Sequence, residues 1–135
     1  MSEINSVFAV ENPVLRPLHQ EADQIQAFLN LPANLQDPAS LTYRLKDLDV
    51  YLARLSEMMI RAKALKEMAQ NRYVTENGEE LNKLSATVSN RQINAFLYEY
   101  KITYERLDAM CHLCEHLSRD LVTQISYIKQ QMALV

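Results

Sequence analysis

The chain has 135 residues, 48% of them apolar, with one glycine, four prolines and a net charge of −3. That is the length of one domain with enough apolar side chains for a core. It holds too little glycine and proline for the many turns of an all-β fold. The charge is uneven: residues 1–40 carry Glu3, Glu11, Glu21, Asp23 and Asp37 against Arg16 alone, whereas residues 41–135 are near neutral. This is not the profile of a wholly basic nucleic-acid binder, although a local basic stretch remains open.

No run approaches the roughly 20 apolar residues that span a bilayer, so no membrane partner is expected. Met1 to Val10 carries Glu3 and no basic residue, so a secretory signal is not expected. Two cysteines do not make a disulfide framework, and the expected location is a reducing cytoplasm.

In chain order, residues 1–16 show no period and are expected to form an arm. Pro17 suits a first helical turn, and Leu18, Ala22, Ile25, Phe28 and Leu29 then share one face of a short helix. Pro32 ends it, and residues 30–37 read as a connector. Domain organisation follows: an acidic arm with a short helix over 1–37, then a long helical unit over 38–135.

Asp37-Pro38 is a helix start, because the carboxylate caps free amides and proline at the first position loses no hydrogen bond. A 4-3 spacing follows in Leu41, Leu45, Leu48, Leu52, Leu55, Met59, Ala62, Lys66, Ala69 and Tyr73. Such a sustained heptad seam predicts a helix of roughly 54 Å. Glu76-Asn77-Gly78 reads as a turn using left-handed backbone. Leu81, Leu84 and Val88 mark a short piece, and Ser89 with Gln92 has capping-box spacing, so a restart or kink is expected there.

The last helix repeats the spacing in Ile93, Leu97, Tyr100, Tyr104, Leu107, Cys111, Cys114, Ser118, Leu121, Ile125, Ile128, Met132 and Val135. Its length of roughly 68 Å exceeds the diameter of about 36 Å of a compact domain this size. The reading is therefore all-α: an elongated antiparallel hairpin of two long amphipathic helices with one or two short helices. The flanks of both seams are apolar as well, at Tyr51, Met58 and Leu65 and at Phe96, Met110, Leu117 and Val122. Stripes this wide exceed what one partner helix covers, so oligomerisation through them is expected. Antiparallel pairing with facing numbers summing to about 166 would set Lys66 near Tyr100, its candidate acceptor, and Ser118 near Leu48.

Chemistry is sparse. Cys111-His112-Leu113-Cys114-Glu115-His116 holds zinc-type ligands, yet both cysteines fall on core positions, and core cysteines are the expectation, with no metal and no cofactor. The single glycine leaves no phosphate-binding loop, and three histidines show no nucleophile–base–acid arrangement. Pairs such as Asp47 with Asp49 are ordinary helix charges. No catalytic residue is expected. The stretch 61–73 carries Arg61, Lys63, Lys66 and Arg72 against Glu67 alone. With Arg91 and Lys83 near the same end it could meet phosphates, with Tyr73, Tyr98 and Tyr100 as stacking partners for unpaired bases. The alternative is a solvated face with tyrosines half-buried at the seam.

Two stretches carry a resemblance. Leu45 through Arg54, and Leu117-Ser118-Arg119 with Ile125 through Lys129, resemble small helical proteins encoded by phages and prophages. More remotely, residues 41–132 are similar to the UvsY family of phage recombination mediators. The shared features are a long helix entering a basic segment and a tyrosine, a glycine turn, and a final helix with Ser118-Arg119 and Ile125, Tyr127, Ile128. The resemblance implies a ring-forming protein of the host cytoplasm. Such a protein binds single-stranded DNA and loads a recombinase onto strands covered by a single-strand-binding protein. Its basic DNA-contacting motif is loosely matched by Arg61, Lys63 and Lys66. The rival expectation is a structural or adaptor protein, of a virion or of a protein–protein interaction, with no nucleic-acid role.

Overall fold

The computed structural model describes residues 12–33 and 37–134. The expected arm therefore lies outside the described residues up to position 11, as do connector residues 34–36 and Val135. The described residues form five helices and no strand: α1 Arg16–Leu29, α2 Pro38–Glu76, α3 Gly78–Asn82, α4 Ala86–Phe96 and α5 Tyr98–Ala133.

The boundaries follow from local chemistry. Pro17 sits in the first turn of α1. Asp37 adopts extended backbone before α2, and its carboxylate accepts from the Ala39 amide at 3.2 Å, as the Asp-Pro pair predicts. At the other end of α2, both the backbone amide and the side-chain amide of Asn77 donate to the Tyr73 carbonyl, at 3.0 and 2.9 Å. The helix ends at these two hydrogen bonds to one carbonyl without left-handed backbone. Gly78 has no positive φ and opens α3 directly, which corrects the expected left-handed turn.

Two further boundaries differ from expectation. The restart is capped by Ser85, whose hydroxyl accepts from the Val88 amide at 3.3 Å; Ser89 lies inside α4. The capping-box spacing at Ser89 was outcompeted because Ser85 is the residue held extended. The expected single last helix is also broken at Leu97 (φ −87°, ψ 3°), although Leu97 N–H still bonds Ile93 and Lys101 N–H bonds Leu97. The break turns Leu97 and Tyr100 into the core and leaves Phe96 and Tyr98 exposed.

α2 packs along α5 and supplies most of the tertiary contact. Rising along α2, Leu48 meets Cys114, Met59 meets Cys111 and Tyr73 stacks on Phe96, so numbers fall along the partner. The seam divides into two rows. Leu41, Leu48, Leu55, Ala62 and Ala69 are wholly buried, while Leu45, Leu52, Met59, Lys66 and Tyr73 are half-buried. On α5, Leu107 and Leu121 are buried with Tyr100, and Ile125 and Ile128 pack against the cluster at its edge. Each fully buried leucine contributes on the order of 2 kcal/mol by leaving water.

α1 lies in the groove between α2 and α5. Leu18, Ala22, Ile25 and Leu29 point inward, and Phe28 packs on Tyr51 at 4.5 Å between ring centroids. Arg44 of α2 ties down its far end, donating to the carbonyls of Phe28 at 3.0 Å and Leu31 at 2.8 Å while lying over the Phe28 ring. This satisfies carbonyls that a helix end leaves free. Glu21 pairs with Arg54 across the same interface. The helix thereby covers part of the wide flank: Met58 and Met110 are buried, whereas Phe96 and Val122 stay exposed.

Lys66 is half-buried and makes no hydrogen bond or ion pair among the described residues, so Tyr100 is not its acceptor. The Cys114 thiol approaches the Leu48 carbonyl at 3.8 Å, and Leu48 shares a cavity wall with Leu117 and Leu121, on either side of Ser118. The Ser118 hydroxyl is itself buried without a partner.

Two substitutions test these features by chemical denaturation. A Cβ on Gly78 would meet nothing within 4 Å, and its backbone suits any residue, so Gly78→Ala raises stability by about 0.4–1 kcal/mol through the unfolded state. Lys66→Leu, which puts an apolar side chain between Ala62 and Ala69, raises it by about 1 kcal/mol. Destabilisation by the first would show that left-handed backbone is needed at residue 78. Destabilisation by the second would show that no apolar neighbourhood surrounds residue 66.

Candidate functional site

The polar chemistry with defined geometry lies where α1 meets α5. His19 and Asp23 are one turn apart on α1; Thr103 and Arg106 are three residues apart on α5. The Thr103 hydroxyl donates its single proton to the Glu99 carbonyl at 2.7 Å, so toward His19 it can only accept. The His19 Nε2, 2.7 Å away, must then carry the ring proton. Nδ1 is left as an acceptor, and the Arg106 guanidinium donates to it at 3.1 Å. Arg106 also donates to Asp23 at 2.6 Å.

This clasp holds His19 neutral. Burial pushes its pKa below the ordinary value, the Arg106 charge pushes it further, and Asp23 opposes both. A protonated ring would lose its acceptor and face a cation with an N–H. His19 and Arg106 make further contacts beyond these. The arrangement is structural in character, because His19 is 5% exposed and its ring is occupied on both nitrogens.

Sequence reading missed the clasp. Each pair shares a helix face by spacing, yet 84 residues separate His19 from Thr103, and nothing local says that they meet.

The Cys-His stretch separates as its helical positions dictate. Cys111 and Cys114 are buried free thiols, while His112 and His116 sit on the surface beside Asp108, Glu115 and Asp120. Among the described residues no three His, Cys, Asp or Glu side chains gather where they could hold a metal ion. Burial is the largest influence on both thiols, raising Cys111 and pushing Cys114 up to about 11. Neither is a thiolate near neutrality, so neither is poised as a nucleophile.

The basic residues do not converge on one strip. Arg61, Lys63, Arg72 and Arg91 are exposed and Lys66 is half-buried. At 100° per residue, Arg61 and Arg72 fall on one flank of α2, and Lys63 and Lys66 on the opposite flank. None of the five forms an ion pair among the described residues, whereas Arg54 and Arg106 are each paired across the fold and Arg44 caps α1. Of the aromatic candidates, Tyr73 is stacked on Phe96 at 4.4 Å and Tyr100 is buried; Tyr98 alone is well exposed. Among the described residues no helix is long and apolar enough to cross a membrane.

The clasp makes stability depend on pH. Because the folded pKa of His19 lies below its ordinary value near 6.5, its contribution is fully present above that value. It is lost as the pH falls toward the folded pKa, by at most about 1.4 kcal/mol per unit. Urea midpoints should therefore drop below pH 6.5 more steeply in the native chain than in His19→Gln. Equal slopes would show that His19 is not held neutral.

Comparison of the chain with protein-family models, with curated proteins and with solved structures found no match.

Proposed function

We propose that this chain is a non-enzymatic, self-associating helical scaffold: an elongated hairpin whose apolar surface is completed by further copies of itself. The observation that carries this reading is the apolar surface left after α1 has docked. Val50, Ile60 and Met68 on α2, and Val122, Tyr127 and Met132 on α5, are each more than half exposed. Single exposed apolar residues are ordinary; what points to an interface is that Tyr43, Val50 and Met68, each about two-thirds exposed, share one side of α2 at 100° per residue. The chemistry agrees with a scaffold: the one buried histidine is used in packing, and both thiols are protonated and enclosed.

A second reading, mediator-like action on single-stranded DNA alongside a recombinase, is favoured by the unpaired cations. Arg61, Lys63 and Lys66 have only Glu67 among them and no ion-pair partner among the described residues. Arg72 and Arg91 stand at an end that also carries Glu76, Glu79 and Glu80, which weakens their fit to a polyanion.

Sedimentation velocity at micromolar concentration separates these ideas. The scaffold reading expects species larger than 15.6 kDa, and a well-folded monomer would refute it. For the DNA reading, anisotropy with a labelled oligonucleotide should show binding that weakens steeply with salt and in Arg61→Ser/Lys63→Ser. No binding at low salt would discard that role and leave the adaptor alternative.

A further inference from the structure

We propose that the cleft where the end of α1 meets α2 and α5 binds a small aliphatic carboxylate, with its hydrocarbon chain in the cleft and its carboxylate at Arg44. The inference goes beyond the scaffold reading and does not rest on it.

The cleft has a volume of about 460 Å³. Small-molecule sites run from roughly 300 to 1,000 Å³, and helical bundles place them between their helices. Each of three helices supplies a wall: Leu29 from α1, Leu48 from α2, and Leu117 and Leu121 from α5. Leu29, Leu48 and Leu121 are almost wholly buried, so the floor of the cleft is the edge of the core itself. A ligand entering it leaves water for hydrocarbon, which favours an apolar body.

The polar groups of the lining select the head. Arg44 is half-buried and forms no ion pair among the described residues, whereas Arg54 and Arg106 each meet a carboxylate. A cation withdrawn from water gains from a counter-charge that this one lacks. Its hydrogen bonds to the carbonyls of Phe28, Leu29 and Leu31 all leave from Nη2. Nη1 and Nε therefore keep protons to donate to an anion. The field of this cation reaches inward: burial raises the Cys114 pKa most, and the Arg44 charge opposes it. Gln124 adds an exposed side-chain amide from α5. The acid of the lining, Asp120, is 63% exposed and lies 3.4 Å from His116, so water screens it more than it screens Arg44. A half-buried cation beside hydrocarbon, with the acid out in solvent, suits an anionic head on an apolar body.

Isothermal titration of the full chain with sodium decanoate, below its micelle concentration, tests this. Decanoate should bind one per chain, at least tenfold more tightly than decanol or decyltrimethylammonium, which share its chain length. Arg44→Met should weaken decanoate at least tenfold and leave decanol unchanged. Arg44 also holds the end of α1, so Gln124→Trp decides the matter if the first variant loses helicity by circular dichroism. That exposed change crowds the mouth of the cleft and should weaken decanoate by a similar factor. Absent decanoate binding, equal binding of the three probes, or decanoate affinity unchanged in the variants would overturn the proposal. Preference for the ammonium would overturn it too, and would assign the cleft to a cation at Asp120.

Discussion

Burial of one row of α2 against α5 sets the position of every other element. Leu41, Leu48, Leu55, Ala62 and Ala69 recur every seven residues and are almost completely removed from water. A seven-residue repeat is slightly shorter than two turns of a straight helix, so such a row stays against one partner along the whole length of the pair. The alanines at 62 and 69 let the helices approach in the half nearer the turns. The leucines at 41, 48 and 55 fill the wider half, where α1 enters as a third helix.

Once the pair is formed, α1 has one groove to fill, and its polar residues decide its depth and direction. Arg44 satisfies the carbonyls at one end, and the His19–Arg106–Asp23 clasp holds the other. Burying Arg106 is costly unless its guanidinium is satisfied. His19, whose proton is directed to Thr103, offers it a lone pair, and Asp23 offers a charge. The interface is thus specified by hydrogen-bond directions as well as by apolar fit.

The arginines divide by role. Arg44, Arg54 and Arg106 bind the three long elements together, while Arg61, Lys63, Lys66, Arg72 and Arg91 make no such contacts among the described residues. Tertiary structure is concentrated in the half containing α1. The half containing α3 and α4 has no third long helix laid over the pair.

The all-α class, the start of α2 at Asp37-Pro38 and both seams were legible in the sequence, because each depends on periodicity or on a cap within four residues. The core positions of Cys111 and Cys114 were legible for the same reason, since helical spacing alone puts them opposite His112. What the sequence could not decide was how competing local signals resolve and which distant groups meet. Ser85 and Ser89 both offer a cap, and only the path of the chain leaving α3 selects Ser85. Gly78 permits left-handed backbone, yet Asn77 ends α2 without it. Lys66 and Ser118 interrupt the seams in plain view, but their neighbours depend on a register set by side chains on two helices at once. The clasp is the extreme case: four ordinary residues on two helices acquire a fixed tautomer and a buried charge only when α1 settles into the groove, because hydrogen-bond geometry is a property of the assembled helices and of no segment alone.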